Sequence, residues 1–331
     1  MIDLHLHLDG SLSPEDVLSL ANTAGITLPT NSTEALRPLL QVEPNCRNLG
    51  EYLEKFDLPL QVLQTEKTIE LSVYLLLKRL SAQGLCYAEI RFAPQLHQSC
   101  GLSQLQVVAA AVAGLNRGVA EFSMPAQLIL CCMRGADNKP ANLETVRVAK
   151  EFLNKGVCAV DLAGNEAAYP TEDFADIFTF AKDMDIPYII HAGEAAGPES
   201  ISQALDLGAK RIGHGVHAIE DTAVLARLQA EKIPLETCFT SNLQTKAVAN
   251  ENAYPLCEFL KQGIAVTVNT DNMTVSGTTL QNEYRLLQAQ FGLSTDTLQA
   301  IACNAAEVAF LPAGQKEHLK NQIKENFTDW L

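Results

Sequence analysis

The chain has 331 residues, of which 47% are hydrophobic, and a formal net charge of −15. This length fits two domains, but barrels of alternating strands and helices often reach it as one unit, and the apolar content suffices for a large core. The acidic balance excludes the basic surface that nucleic acids and anionic membranes require of a partner, so we expect neither.

Eight short apolar runs are predicted to be strands, and amphipathic segments lie between them. The predicted strands are Ile2–His7, Cys86–Phe92, Gln127–Met133, Val157–Leu162, Ile186–His191, Arg211–Gly213, Ile233–Cys238 and Ile264–Asn269. Segments such as Ala141–Asn154 and Thr171–Asp183 have apolar residues three and four apart, which indicates helices. Eight repeats of strand and helix predict an α/β fold, specifically a parallel (β/α)₈ TIM barrel.

Two segments extend this minimal barrel. Residues 8–85 separate the first two strands, and we expect a helical insertion there. Four residues of this insertion are expected to form walls of an apolar pocket: Tyr52, Phe56, Leu58 and Leu60. After the eighth strand, Thr278–Phe291 and Ser294–Phe310 are predicted to be extra C-terminal helices. No Pro/Gly-rich linker interrupts the chain, so residues 1–331 are predicted to form a single domain.

The cysteines and the first residues bear on the cellular compartment. Nine cysteines are present, no two of them spaced as C-x-x-C, and several lie inside apolar runs such as Leu130-Cys131-Cys132-Met133. This pattern favours free thiols in a reducing compartment over a disulfide framework. The first motif begins at residue 5, which leaves no room for a signal peptide, and no apolar stretch approaches the roughly 20 residues of a spanning helix. We expect a cytoplasmic protein.

Four short motifs with histidine or aspartate follow apolar runs. They are His5-Leu6-His7, His191-Ala192-Gly193-Glu194, Gly213-His214-Gly215 and Asn269-Thr270-Asp271-Asn272. In a barrel the functional groups lie at the carboxyl ends of the strands, so these side chains are expected to meet. Imidazoles with a carboxylate suit Zn²⁺ and leave room for a water, whose pKa the metal lowers toward neutrality. One H-x-H pair is weak evidence, but four strand ends of this kind favour a metal site over separate structural roles.

These motifs resemble those of the adenosine deaminases of the amidohydrolase superfamily, in that family's order. Intermediate stretches agree, namely Glu89-Ile90-Arg91-Phe92-Ala93-Pro94, Asp161-Leu162-Ala163-Gly164-Asn165-Glu166 and Thr240-Ser241-Asn242, and the similarity extends beyond Tyr284. The resemblance implies hydrolytic deamination of adenosine, and of 2′-deoxyadenosine, to inosine and ammonia. It also implies one Zn²⁺ per chain and a small purine nucleoside as the substrate, and it leaves the oligomeric state open.

The resemblance further implies a role for each site residue. The expected zinc ligands are His5, His7, His191 and Asp271. The expected catalytic residues are Glu194, which protonates purine N1 as hydroxide attacks C6, and His214, which lies beside the attacking water. The expected substrate contacts are Asp9 to the ribose hydroxyls, Gly164 through its N–H to the purine, and Asn272 to purine N7. Many relatives have a second aspartate where this chain has Asn272, and an amide donates the same hydrogen bond without titrating.

The other polar residues near the motifs have weaker expectations. His217, three residues past His214, is more often structural than functional in such a position. Asp161 and Glu166 are expected only to order the loop after the fourth strand. His97 and His318 lie outside the motifs and are assigned no role.

Alternative functions remain open at this point. Relatives that deaminate free adenine tend to have glutamate at the position of Asp9, and those that act on modified AMP tend to have asparagine, so adenosine is favoured and adenine or another 6-aminopurine derivative is the alternative. A binuclear amidohydrolase would need a lysine at the end of the fourth strand, which is absent. The cytidine-deaminase class is excluded because it needs P-C-x-x-C. A purine-binding module without catalysis is disfavoured because Glu194 and His214 are both present.

Overall fold

The computed structural model describes residues 1–43 and 46–331 and contains eight parallel strands. They are β1 Ile2–His7, β2 Tyr87–Phe92, β3 Ala126–Met133, β4 Val157–Ala163, β5 Ile189–Ala192, β6 Arg211–His214, β7 Leu235–Thr237 and β8 Val266–Val268. They pair in the order β1-β2-β3-β4 and β5-β6-β7-β8. Isolated parallel bridges join Val160 to Tyr188 and Leu6 to Asp271, one at each seam between the two sheets. The strands therefore form a ring, which confirms the predicted α/β barrel.

The predicted strand bounds agree within one residue for the first four strands and the sixth, and the predicted fifth, seventh and eighth strands are too long. The fifth strand begins at Ile189 rather than Ile186. Pro187 explains the late start, because it has no N–H for the ladder, although its carbonyl still accepts a hydrogen bond from the Val160 N–H at 3.0 Å. The seventh and eighth predicted strands are likewise shortened at both ends.

The insertion between β1 and β2 is helical, as predicted. Its helices are α1 Pro14–Ala24, α2 Thr33–Leu40, α3 Leu49–Leu53, α4 Asp57–Val62 and α5 Glu66–Ala82. Local sequence determines where α1 starts, because the Ser13 hydroxyl accepts from the Asp16 N–H and the Asp16 carboxylate accepts from the Ser13 N–H. Helix α1 ends at Gly25, which adopts the left-handed conformation that favours glycine.

The remaining helices follow the second and later strands along the chain. They are α6 Gln104–Phe122, α7 Lys139–Phe152, α8 Ala175–Asp183, α9 Pro198–Leu207, α10 Thr222–Glu231, α11 Phe239–Gln244, α12 Leu256–Lys261, α13 Met273–Ser276, α14 Leu280–Phe291, α15 Thr295–Val308 and α16 Ala313–Trp330. Helix α8 is shorter than predicted because Thr171–Phe174 forms a 3₁₀ turn before it. Helices α14 and α15 confirm the two predicted C-terminal helices. Helix α16 was not predicted, and it buries Leu319, Ile323 and Phe327 at four-residue spacing.

The apolar core contains a few buried charged side chains, and these lie near the site. One cluster of buried apolar side chains extends along the chain from Met1 to Phe327. Inside the ring, however, Arg91 and Arg211 are among the largest fully buried side chains. Buried cations need charged or hydrogen-bonding partners, and the partners of these two arginines include carboxylates that contact the site histidines. Across the described parts of the chain, none of the helices has the length and apolarity needed to cross a membrane.

Candidate active site

Histidines from β1, β5 and β6 meet an aspartate at the carboxyl end of the ring. One possible ligand atom each from His5, His191, His214 and Asp271 lies within 4.8 Å of the others, and all four residues are buried. His7 is outside this set of four, yet its Nε2 lies 3.4 Å from Asp271 Oδ1, the same distance as His5 Nε2. The structure therefore brings together all four predicted metal ligands and His214.

Two of these side chains are aimed by unusual backbone conformations. His214 has φ 62° and Asp271 has φ 58°, in the left-handed region that few residues other than glycine adopt. The Asp271 backbone also pairs with β1, since its N–H donates to the His5 carbonyl at 2.8 Å and its carbonyl accepts from the His7 N–H at 2.7 Å. Backbone strain of this kind concentrates at functional sites. The pairing with β1 holds the Asp271 carboxylate beside both histidines of that strand.

The histidine nitrogens that face away from the cluster contact buried carboxylates. His5 Nδ1 lies 2.8 Å from Glu236 Oε2, and His191 Nδ1 lies 3.0 Å from Asp161 Oδ2. The Arg91 guanidinium donates a hydrogen bond to each of these carboxylates at 2.8 Å. A carboxylate that accepts from one ring nitrogen leaves the other nitrogen free for a metal. Asp161 therefore does more than order its loop.

Charges keep these two carboxylates ionised although they are buried. Burial opposes ionisation, but Arg91 and Arg211 hold the pKa of Glu236 well below its ordinary value. His191 and Arg91 lower the pKa of Asp161 in the same way. Sequence reasoning missed Arg91 and Glu236 as contributors to the site. The signal was available, because charged residues within strands buried on both faces must be paired.

The donor set fits a divalent cation. His5 Nε2 is buried without a hydrogen-bond partner among the described residues, although it points toward the cluster. Burial lowers the pKa of His7, His191 and His214, so these imidazoles are neutral at physiological pH, which is the form that binds metals. The Asp271 carboxylate is ionised, because contacts with His5 and His214 keep its pKa low despite burial. Neutral imidazoles around one carboxylate suit a borderline cation.

Glu194 has the opposite electrostatic setting. Burial, together with the negative charges of Asp271 and Glu166, raises the pKa of Glu194 well above its ordinary value. Its Oε2 lies 3.6 Å from His214 Nε2. The Nδ1 of His214 accepts from the Asn242 amide at 3.0 Å, which places the ring proton on Nε2. The carboxyl thus retains its proton near neutral pH, and a neutral His214 directs an N–H toward the same space.

These groups open into a cavity of about 220 Å³. Among the pocket walls expected from the insertion, Tyr52, Phe56 and Leu60 line it, whereas Leu58 packs against the barrel core instead. The three expected substrate contacts, Asp9, Gly164 and Asn272, also line it. Burial raises the pKa of Asp9 to about 6. The described lining contains four carboxylates and neither lysine nor arginine, which disfavours an anionic ligand.

Asn272 fits its position only because a glycine faces it. A Cβ on Gly10 would lie 2.0 Å from Asn272 Oδ1, so any other residue at position 10 would displace the amide. Asn272 Oδ1 is buried and has no hydrogen-bond partner in the described part of the protein. The amide is thus buried at the cavity wall with hydrogen-bonding capacity to spare.

The other polar residues near the motifs lie away from the cluster. His217 Nδ1 contacts Glu220 at 2.8 Å on the surface side of its turn. His97 is buried with Nδ1 2.9 Å from the Leu63 carbonyl, and His318 is exposed on α16. Glu166 does order the β5 loop, through hydrogen bonds to its backbone.

Known proteins share both the sequence and the architecture. The family model described as adenosine deaminase matches residues 1–326. An adenosine deaminase of Haemophilus ducreyi is 50% identical over 99% of this chain and 96% of its own length, and one of Clostridium botulinum is 40% identical over 98% and 97%. Among solved structures, an adenine deaminase from Arthrobacter aurescens is 29% identical with a TM-score of 0.89, covering 99% of this chain and 98% of that one. An N6-mAMP deaminase of Arabidopsis is 28% identical with a TM-score of 0.86, covering 98% and 97%. Since the match spans every strand that holds the histidine cluster and its carboxylates, the chain belongs to the adenosine deaminase family.

Proposed function

We propose that this protein hydrolyses adenosine, and its 2′-deoxy form, to inosine and ammonia. The observation that carries the proposal is the position of Glu194. Its buried carboxyl, with a pKa well above the ordinary value, faces the same cavity as the cluster of His5, His191, His214 and Asp271. A carboxyl that keeps its proton beside a metal-binding group is suited to protonate a ring nitrogen while water adds to the neighbouring carbon.

We propose Zn²⁺ as the metal, with His5, His7, His191 and Asp271 as its ligands. Three imidazoles and one carboxylate match the donors that Zn²⁺ prefers. When bound, the ion would make a water nucleophilic at neutral pH. Nε2 of both His5 and His7 lies 3.4 Å from Asp271 Oδ1, which supports this ligand set.

The protein's own groups would direct the reaction as follows. Glu194 donates its proton to N1 of the purine as negative charge develops there during addition of water at C6. The Nε2–H of His214 orients the attacking water, and Asn242 keeps that tautomer through its bond to Nδ1 at 3.0 Å. The geometry thus favours orientation over proton abstraction as the role of His214.

Three residues of the cavity would position the substrate. Asp9 accepts hydrogen bonds from ribose hydroxyls, the Gly164 N–H bonds the purine, and the Asn272 amide donates to N7. The apolar side chains of Tyr52, Phe56 and Leu60 exclude water from the bound base.

Free adenine is the second candidate substrate. The similarity to an adenine deaminase at a TM-score of 0.89 favours it. The Asp9 carboxylate and the absence of any cation in the described lining favour a neutral nucleoside over both adenine and a nucleotide. In a complex with the free base, Asp9 would have no ribose hydroxyl to bind and would keep only backbone contacts such as the Gly10 N–H at 3.2 Å, which is unfavourable for a buried carboxylate.

The test is the fall in ultraviolet absorbance of adenosine when zinc-loaded protein is added, with adenine and AMP assayed in parallel. We expect the fall with adenosine, and its loss after chelation of the metal. A fall with adenine alone would transfer the mechanism to the second candidate. No change with any of the three, from protein that contains its metal, would contradict a deaminase acting on these purines and would favour a purine-binding module.

Three broader properties follow from the same features. We infer that the chain is one domain, which is supported by one large cluster of apolar side chains with members from Met1 to Phe327. A cytoplasmic location is supported by the nine free cysteines. The net charge of −15 supports a small molecule, rather than nucleic acid, as the partner.

A further inference from the structure

The loop that follows β5 directs four consecutive backbone N–H groups at one side chain. The N–H groups of Gly193, Glu194, Ala195 and Ala196 donate to the Glu166 carboxylate over 2.7, 2.9, 2.7 and 3.1 Å. Successive N–H groups that converge in this way form an anion-binding concavity. Here the anion is supplied by the protein itself. Hydrogen bonds to an ionised acceptor are about twice as strong as neutral ones, so this contact holds the loop firmly.

A buried polar network holds the Glu166 carboxylate in turn. Glu166 is only 2% exposed, and its Oε1 also accepts from the Ser200 hydroxyl at 2.6 Å. Ser200 contacts Thr171 at 2.8 Å, and Arg134 donates to Thr171 at 3.0 Å. The same guanidinium donates to the His191 carbonyl at 2.6 Å. The network therefore joins the residues after β3 and β4 to both ends of the β5 loop.

The sequence separations give this contact a consequence for the cavity. Glu166 lies two residues past Gly164, in the loop after β4, while Glu194 lies in the middle of the loop it binds. Gly164 and Glu194 both line the cavity. The backbone N–H of Glu194 is itself one of the four donors, at 2.9 Å. Any displacement of the Glu166 carboxylate would thus move the Glu194 backbone relative to Gly164.

We propose that Glu166 is a positioning residue for Glu194, whose carboxyl it aims at the reacting purine by binding the backbone of the β5 loop. The inference rests on the proposed function, in which Glu194 donates the proton to N1. Glu166 itself does not touch the substrate, since it does not line the cavity. Its effect is on the geometry of proton transfer, where a displacement of about 1 Å costs roughly 10²-fold in rate.

The test compares Glu166→Ala with and without acetate. Truncation to alanine removes a CH₂–COO⁻ unit, and acetate has the size and charge to replace it among the four N–H groups. We expect kcat for adenosine to fall by roughly 10²-fold, with little change in KM because the lost alignment acts in the transition state. Added acetate should restore part of kcat, whereas acetamide, which has the same shape without the charge, should not.

Two further variants separate positioning from general destabilisation. Glu166→Gln retains the shape but not the charge, so its kcat should lie between those of wild type and Glu166→Ala. Glu172→Gln changes an exposed carboxylate of the same β4–α8 connection and should behave as wild type. If Glu166→Ala does not fold, the proposal is tested on the isosteric Glu166→Gln instead. A wild-type kcat in Glu166→Gln would then overturn the proposal. A folded Glu166→Ala enzyme with wild-type kcat, or a lowered kcat that acetate leaves unchanged, would also overturn it.

A measurement without turnover distinguishes failure of this inference from failure of the proposed function. Amide hydrogen exchange of residues 193–196 should accelerate in Glu166→Ala and slow again when acetate is added. If the wild type does not deaminate adenosine while this exchange pattern holds, the proposed function fails and the contact between Glu166 and the loop stands. Unchanged exchange in Glu166→Ala would overturn the inference whatever the activity.

Discussion

Two groups of buried carboxylates within the barrel differ in their partners. Deep in the ring, Asp161 and Glu236 each contact Arg91 at 2.8 Å, and their pKa values lie below the ordinary range. At the cavity, Glu194 and Asp9 form no ion pair with lysine or arginine in the described structure, and burial raises the pKa of each. Asp161 and Glu236 are therefore fixed anions, whereas the carboxyl group of Glu194 can carry a proton.

The difference shows how one barrel separates support from chemistry. We call Asp161 and Glu236, each bonded to Arg91, the paired layer, and Glu194 and Asp9 the unpaired layer. In the paired layer the carboxylates contact Nδ1 of His5 and of His191, so Nε2 of each ring faces the metal-binding cluster. The unpaired layer leaves Glu194 neutral and able to donate a proton. Burial is common to both layers, so the neighbouring cation decides which behaviour results.

The largest expected effect, on kcat, comes from removing the carboxyl proton of Glu194. Glu194→Gln should lower kcat for adenosine by about 10²–10⁴-fold, as is typical of removing a general acid, because the amide cannot protonate N1. Metal content and inosine binding should remain as in wild type, measured by elemental analysis and calorimetry. Near-normal turnover would remove Glu194 from the role of proton donor.

Breaking the paired layer should affect stability instead. Arg91→Met leaves the Asp161 and Glu236 carboxylates without their shared cation, and removing one partner of a buried ion pair costs about 3–5 kcal/mol. Denaturant unfolding followed by circular dichroism should show this loss. Arg37→Met, at an exposed position on α2, is the matched control and should change stability by less than about 0.5 kcal/mol. Equal stabilities of the two variants would mean that the paired layer does not depend on Arg91.

His97 is a buried base that contacts no charged group among the described residues. Its described polar contact is the Leu63 carbonyl, and burial lowers its pKa from 6.5 to about 4. The unfolded chain therefore binds more protons between these two values, so stability should be complete above pH 6.5 and should fall by about 3 kcal/mol as the pH drops to 4.

The matched variant for this prediction is His97→Asn, whose amide nitrogen replaces Nδ1 as donor to the Leu63 carbonyl but does not titrate. Unfolding free energies of the two proteins are compared from pH 4 to pH 7. The difference between them should shrink or reverse toward acid pH, because only the wild type loses stability through His97. Parallel pH profiles would show that His97 is not held neutral by burial.

The smallest effect is expected where charge alone is removed from the paired layer. Asp161→Asn still offers an oxygen to His191 Nδ1, so the ring orientation should survive while the ligand becomes less basic. Metal affinity should fall by about 10–100-fold, measured by competition with a chelator. Asp173→Asn, at an exposed position in the connection between β4 and α8, is the control. Unchanged affinity would mean that the Asp161 charge does not influence the site.

Local features of the sequence predicted much of this structure. Apolar runs identified all eight strands, and helical spacing identified α7, α8, α14 and α15. The strand ends were less accurate around the short fifth, seventh and eighth strands, as at Pro187, which precedes the fifth. Helix α16 was missed because only Leu319, Ile323 and Phe327 mark its buried face in a strongly polar segment. The residues predicted to form the site lie together, while their individual roles remain proposals.

By itself, the sequence determined the fold class and which motifs come together, because strand periodicity and the order of strand and helix limit the chain to a parallel barrel with its motifs at one end. Only the tertiary structure decided which charges are paired. Arg91 and Glu236 are 145 positions apart, and Glu166 is 27 or more positions from the loop it binds. Such contacts depend on where distant strands lie within the ring, and the low dielectric of that interior makes each of them decisive for protonation.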